Sequence, residues 1–192
     1  MASPAPRRLI VGLTGSSGAP FTVALLHALH ALNVDTYLIV SRWGRTVLEQ
    51  ETNLQVADLQ GLVRKVYSDD ALDAPVSSGS VQYHGVVVLP CSMTTLARIA
   101  HGMADTLIAR CAHVALKEHR RLILCIRETP LSVINLENAL RVARAGGIIM
   151  PMTLSLYLEE RTLDRLLHAF ALRILALFGW VSVDMWRPDE LG

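Results

Sequence analysis

The sequence has little net charge, few cysteines and no long apolar run, and each shortage excludes a class of protein. Its 192 residues hold 18 lysines and arginines against 17 aspartates and glutamates, so no overall field recruits nucleic acid. The cysteines Cys91, Cys111 and Cys125 form no C-x-x-C pair, which argues against a disulfide framework and fits a reducing cytoplasm. No His, Cys or carboxylate cluster has the spacing of a metal site.

A membrane-spanning segment is also missing from the pattern, although apolar residues are abundant. They make up 52% of the chain and the mean hydropathy is +0.37. No apolar stretch reaches the ~18 residues that a span needs. Residues 1–7 lack an apolar centre and indicate a ragged terminus instead of a signal peptide. The surplus apolar surface is therefore expected to line a core and the contacts of a homo-oligomer.

What the chain does contain is a regular alternation of short apolar runs and helical patterns. The strands predicted are Leu9–Leu13, Thr36–Val40, Val86–Leu89, Leu122–Ile126 and Gly147–Met150. The helices predicted are Phe21–Leu32, Arg45–Gln50, Thr94–Ile99, Thr106–Glu118, Leu136–Ala145 and Leu163–Phe178. This order predicts a single α/β domain with a doubly wound, Rossmann-like or flavodoxin-like parallel sheet and helices on both faces. Residues 179–192 are expected to form a tail over the site or a neighbouring subunit.

The turn after the first predicted strand is rich in glycine and serine. The stretch LIVGLTGSSGAP places Gly12, Gly15 and Gly18 three apart, which differs from the G-x-G-x-x-G of a dinucleotide site. Backbone N–H groups at the start of the following helix can hold an anion such as a phosphate. The glycines can equally serve only the geometry of a tight turn. The spacing leaves both interpretations open.

Hydroxyl side chains, carboxylates or arginine follow each of the first four predicted strands. These stretches read TGSSGA, SRWGRTVLEQETN, PCSMTTLA and RETPLS. Doubly wound parallel sheets bind ligands where their strands end. The repeated chemistry therefore predicts a binding site at that edge of the sheet.

Taken together, these stretches resemble the UbiX family of flavin prenyltransferases, which includes the B subunits of phenolic-acid and vanillate decarboxylases. The resemblance runs from about Arg8 to Trp186 and extends to SSGS, ARCAHVALKEHRRLIL, NLENAL and LDRLLHAFALRIL. It implies transfer of the dimethylallyl group of dimethylallyl phosphate to N5 and C6 of reduced FMN, without a metal. It also implies a homododecamer whose product, prenylated FMN, serves a UbiD-type decarboxylase.

The same resemblance assigns residues to three roles. Contacts to the flavin are expected from Gly15, Ser16, Ser17, Ser41, Ser92, Met93, Thr94, Thr95 and Arg127. The phosphate of the prenyl donor is expected to bind Arg110, Lys117, Tyr157 and Arg173, drawn from more than one subunit. The catalytic residues are expected to be Glu51, Ser17, Lys117, Glu128 and Trp186. Glu51 is the expected acid–base carboxylate and Trp186 the aromatic cover, whereas Glu49 is expected at the surface.

Ordinary structural roles compete with several of these assignments. Ser41 and Ser92 can be plain helix N-caps. Arg110 and Lys117 stand seven residues apart on one helix face, which can simply be solvated. Arg173 lies in the apolar stretch HAFALRILALF, where an unpaired charge is costly and a buried ion pair is the alternative. The basic run KEHRR predicts a solvated helix end at His119, Arg120 and Arg121.

Two other functions on the same fold remain open at this point. An FMN-dependent decarboxylase of the cysteine-decarboxylase type uses a PASANT-like segment, and the corresponding stretch PCSMTT lacks the asparagine. A non-catalytic flavin-binding subunit would have no need of Glu51, Lys117 and Arg173.

Overall fold

The fold is built on six parallel strands, seen in a computed structural model that describes residues 6–156 and 161–181. The strands are β1 (Arg8–Leu13), β2 (Asp35–Val40), β3 (Lys65–Ser68), β4 (Gly85–Cys91), β5 (Arg121–Ile126) and β6 (Ile148–Pro151). Their order across the sheet is β3-β2-β1-β4-β5-β6, and every neighbouring pair is parallel. The predicted doubly wound sheet is confirmed.

Within the part of the chain that the structure describes, six α-helices cover the two faces of this sheet. They are α1 (Ala19–Ala31), α2 (Arg42–Thr52), α3 (Met93–Ala100), α4 (Leu107–Lys117), α5 (Val133–Arg144) and α6 (Leu163–Leu177). Short 3-10 helices occupy Val56–Leu62 and Pro75–Ser77. Helices α1, α2 and α6 pack on one face, and α3, α4 and α5 on the other. No helix within the described residues is long and apolar enough to cross a membrane.

The strands are apolar at nearly every position because both of their faces are covered. In β1 the pleat sends Leu9, Val11 and Leu13 into the core under α1 and α6, and Ile10 into the core under α3 and α4. All seven residues of β4 are buried. This is the burial expected of a parallel sheet between two helical layers.

The winding direction reverses between β1 and β4, which are neighbours in the sheet. The helix that follows β1 lies on one face, and the helices that follow β4 lie on the other. A crevice therefore opens at the carboxyl ends of these two strands, where ligands bind in folds of this type.

One strand was not predicted. Strand β3 has only four residues, none of them fully buried, and it pairs only with β2 at the edge of the sheet. A short, half-exposed segment of this kind has no continuous apolar run that would predict a strand.

Candidate active site

The loop between β1 and α1 stands at the carboxyl edge and is tied to the end of β5. The Ser16 hydroxyl donates to the carbonyl of Arg127 (3.2 Å), and Nε of Arg127 donates to the carbonyl of Ser17 (3.5 Å). Gly15 and Ser17 are exposed. The N–H groups of residues 15–17 have no acceptor within the described part of the chain. Three backbone donors therefore face solvent in a loop whose position is fixed.

Helix α2 approaches this loop so closely that Gly15 has no room for a side chain. A Cβ on Gly15 would lie 2.4 Å from Cβ of Trp43. At the other end of the loop Gly18 has φ +127°, a backbone conformation that favours glycine. The geometry of the turn therefore requires glycine at both positions, and this requirement is compatible with a ligand bound by the N–H groups of the loop.

The end of α2 also reaches the loop, through Glu51. Its Oε2 accepts hydrogen bonds from the N–H groups of Gly18 and Ala19, both 2.8 Å long. A carboxylate at a helix N-terminus interacts favourably with the helix dipole. The first N–H groups of α1 are therefore paired with a carboxylate of the chain, which counts against a phosphate bound at these two groups. Glu49 is exposed, as predicted.

Ser41 and Ser92 are helix N-caps, which is the role that the sequence analysis gave as the alternative to a flavin contact. The Ser41 hydroxyl accepts from the N–H of Gly44 (3.0 Å), and the Ser92 hydroxyl accepts from the N–H of Thr95 (3.3 Å). Both caps nevertheless stand at the carboxyl edge, directly after β2 and β4. A capping role and a contact to a bound flavin are compatible there. Met93 and Thr94 follow in the first turn of α3, and of these Thr94 is exposed.

Thr14 joins the two sides of the crevice, and the sequence interpretation missed it. Its hydroxyl donates to the carbonyl of Pro90 (2.7 Å) and accepts from the N–H of Ser92 (2.9 Å). The side chain is 2% exposed. The only sequence signal was a hydroxyl residue at the end of an apolar run.

Arg127 and Glu128 follow β5 and are both exposed. Oε1 of Glu128 accepts from the N–H of Thr129 (3.0 Å), which orients the carboxylate within the turn before α5. The predicted flavin residues therefore come together at one edge of the sheet, on the ends of β1, β2, β4 and β5.

The cations predicted for the donor phosphate are not brought to that edge together. Arg110 and Lys117 are exposed on one face of α4, and Nζ of Lys117 pairs with Oε1 of Glu118 at 3.0 Å. Helix α4 ends just before β5 begins, so Lys117 lies at the amino edge of the sheet. A six-residue strand is about 20 Å long. Lys117 is therefore separated by about that length from the β1–α1 loop of the same chain.

Arg173 lies on the opposite face of the sheet from α4. The buried ion pair offered as the alternative role for Arg173 is not found, because α6 turns Phe170, Ala171 and Ile174 into the core and leaves Arg173 exposed. Arg173 borders a cavity of about 390 Å³ beside β6, with Thr153 and Ser155. One chain therefore presents Lys117 and Arg173 in different directions.

The solvated helix end predicted for the KEHRR run is wrong for Arg120. Its Nη1 donates to the carbonyl of Val81 (2.7 Å) and its Nη2 to the carbonyl of Gly79 (2.6 Å). The guanidinium also stacks over the ring of Tyr83, 4.2 Å from the centroid. His119 and Arg121 are exposed, as predicted. Tyr157 and Trp186 lie outside the described residues.

Comparison with protein families and curated proteins gives concordant matches. The family model described as Flavoprotein matches residues 3–166. The chain is similar to the flavin prenyltransferase UbiX of Deinococcus radiodurans, with 42% identity over 187 residues, 96% of each chain.

Two solved structures are also similar to this chain. One is the crystal structure of AnUbiX (PadA1) in complex with FMN and dimethylallyl pyrophosphate, at a TM-score of 0.90 and 41% identity. The match covers 96% of this chain and 100% of that one. The other is the dodecameric FMN-dependent UbiX-like decarboxylase from Escherichia coli O157:H7, at a TM-score of 0.89 and 42% identity. It covers 94% of this chain and 98% of that one.

Proposed function

The chain belongs to the flavoprotein family and, within it, to the UbiX-like flavin prenyltransferases, and on this basis we propose that it prenylates reduced FMN. Dimethylallyl phosphate is the proposed donor. Reduced FMN supplies N5 and C6, the two atoms to which the dimethylallyl group is joined as phosphate leaves. The observation that carries the proposal is the meeting of four strand ends, each with hydrogen-bonding groups, at the crevice beside β1 and β4.

The groups at this edge fit a flavin mononucleotide. The N–H groups of residues 15–17 are donors without an acceptor within the described residues, and donors of this kind suit a phosphate or a flavin ring edge. Arg127 is fixed beside them through its hydrogen bond to the carbonyl of Ser17. Its planar guanidinium can bind a flavin oxygen while keeping that contact. We therefore place FMN between the β1–α1 loop and the start of α3.

Glu51 is the proposed acid–base group. The N–H groups of Gly18 and Ala19 hold Oε2, so Oε1 is the oxygen that remains to give and take a proton. Departure of phosphate and loss of a proton from the flavin ring both need such a group. Ser17 stands in the same loop and is exposed.

Arg110, Lys117 and Arg173 are proposed to bind the donor phosphate, each from a copy of the chain other than the one that binds the flavin through its β1–α1 loop. Support comes from the position of Lys117, because it lies at the amino edge of its own sheet, away from its own crevice. An assembly of several copies can bring one chain's amino edge to another chain's carboxyl edge. We further propose that prenylated FMN passes to a UbiD-type decarboxylase.

The deciding experiment is an anaerobic incubation of the purified protein with dithionite-reduced FMN and dimethylallyl phosphate. Mass spectrometry of the released flavin should show the gain of one dimethylallyl unit, and omission of the donor should leave FMN unchanged. Flavin that binds but gains no mass would indicate a non-catalytic flavin-binding subunit. Release of carbon dioxide from a peptide ending in cysteine would instead indicate the decarboxylase.

A further inference from the structure

The segment of residues 77–81, called here the serine–glycine loop, starts at the last residue of the second 3-10 helix and leads toward β4. Its Gly79 lies close to Lys117 and Glu118 at the end of α4. The side chain of Arg120 holds this loop in place through hydrogen bonds. The two terminal nitrogens of its guanidinium donate to the carbonyls of Gly79 (2.6 Å) and Val81 (2.7 Å). One planar side chain therefore determines where two carbonyls of the loop lie.

Arg120 is itself held by the ring of Tyr83. The guanidinium stands 4.2 Å from the ring centroid, a distance at which a cation is attracted to an aromatic face. Tyr83 is 6% exposed, and burial raises the pKa of its hydroxyl to about 12. The ring stays neutral at physiological pH, so Arg120 rests on a fixed apolar surface and not on an ion pair.

The serine–glycine loop in turn contacts two of the cations proposed for the donor phosphate. The carbonyl of Ser77 accepts from Nε of Arg110 (3.4 Å). A Cβ on Gly79 would lie 3.2 Å from Nζ of Lys117 and 2.6 Å from Oε1 of Glu118. The loop therefore lies against Arg120 and also against Arg110 and Lys117.

We propose that Arg120 is a positioning residue for phosphate capture, acting through the serine–glycine loop on Arg110 and Lys117. The inference rests on the proposed function of those two cations. Long basic side chains lose rotamer freedom when they bind an anion, and a fixed surface beside them lowers that cost. Loosening the loop should therefore weaken binding of the donor while leaving the flavin edge, at the other end of the sheet, unchanged.

Arg120→Lys is the first test. A lysine keeps the charge but cannot donate to two carbonyls in one plane. We expect the KM for dimethylallyl phosphate to rise about tenfold, the scale of leaving one or two long side chains unordered. The kcat at saturating donor and the affinity for FMN should stay close to wild type. Arg121→Lys is the matched control, because the Arg121 guanidinium lies over the ring of Phe178 and does not hydrogen-bond the loop within the described residues.

Gly79→Ala is a second test that leaves Arg120 intact. The added methyl group would meet the ends of the Lys117 and Glu118 side chains, which must move away from the loop, and the same selective rise in KM is expected. In a Lys117→Ala background, Arg120→Lys and Gly79→Ala should each raise the KM by a smaller factor, because part of their effect on donor binding depends on Lys117.

The possible results distinguish a failure of the role of Arg120 from a failure of the proposed function. If the wild-type enzyme is active and neither Arg120→Lys nor Gly79→Ala changes the KM for dimethylallyl phosphate, the role proposed for Arg120 is overturned. If Arg120→Lys lowers the FMN affinity, the kcat and the melting temperature together, Arg120 is a purely structural residue, and the positioning role is again overturned. Absence of prenylation by the wild-type protein would refute the proposed function instead.

Discussion

At the scale of single residues, Glu51 combines a capping role with the proposed chemical one. Glu51→Gln keeps an oxygen that can accept from the N–H groups of Gly18 and Ala19, so α1 should start as before. The amide cannot shuttle a proton. We expect near-normal FMN affinity and a loss of about 10²-fold or more in kcat, the usual contribution of acid–base catalysis. Single-turnover kinetics and FMN titration measure the two quantities separately.

Glu49→Gln is the control for that substitution, since Glu49 lies on the same helix and is exposed. Wild-type turnover is expected. If Glu49→Gln fails while Glu51→Gln reacts normally, the catalytic carboxylate has been misassigned. Lys117→Ala should behave differently from both, because losing a phosphate contact raises the KM for the donor first.

The three cysteines are predicted to be inert in the folded protein. Cys91, Cys111 and Cys125 are all free and buried. Burial raises the pKa of each thiol, to about 12 for Cys111, so almost no thiolate forms at neutral pH. Ellman's reagent at about pH 8 should therefore find no thiol in the native protein and all three after denaturation. Rapid reaction of Cys91 in the native state would contradict its burial.

At the scale of elements, the contact between α2 and the β1–α1 loop decides the shape of the flavin edge. In Gly15→Ala the new Cβ would meet Cβ of Trp43 at 2.4 Å, so the loop or the helix must move. We expect FMN affinity to fall at least about tenfold with little change in folding, because the affected loop is exposed. Fluorescence titration of FMN measures the change.

Two further variants test that explanation. Trp43→Gly removes the atom that the alanine meets, so the double variant should recover part of the affinity. Gly61→Ala, where a Cβ meets nothing within 4 Å, should bind FMN like the wild type. If Gly15→Ala binds FMN normally, the loop does not contact the flavin.

The elements that the sequence predicted are those with long apolar patterns, such as β4, β5 and α4. Strand β3 escaped prediction because its four residues gain their strand conformation from pairing with β2. The site was predictable where each strand end has its own polar residues, because a parallel sheet gathers those ends at one edge. The role of Arg120 was not predictable, because its partners Gly79, Val81 and Tyr83 are distant in sequence.

At the scale of the whole molecule, the proposed site needs several copies of the chain. Glu51 stands at the carboxyl edge and Lys117 at the amino edge of one sheet. Light scattering at micromolar concentration should therefore give a mass well above that of one chain, and a monomer would contradict the proposed site. Apolar side chains on α5, among them Val133, Leu136 and Leu140, are exposed in the single chain and suit such contacts.

Co-expression of two impaired variants, assayed at a low donor concentration, tests the sharing of the site directly. Random assembly of Glu51→Gln chains with Lys117→Ala chains should leave roughly a quarter of the sites with both native residues. Activity should therefore return to roughly that fraction of wild type. Co-expression of Glu51→Gln with the Glu51→Gln/Lys117→Ala double variant should restore nothing. No recovery in the first mixture would mean that both residues act within one chain.

The separation of Glu51 and Lys117 on opposite edges also bears on inheritance. A chain defective at one edge still offers a normal second edge to its neighbours, so it enters the assembly and is not excluded from it. In a cell with one normal and one damaged gene copy, loss of the Lys117 side chain would then disable flavin edges that belong to normal chains. Such an allele is expected to be partly dominant, whereas an allele whose product fails to fold is expected to be recessive.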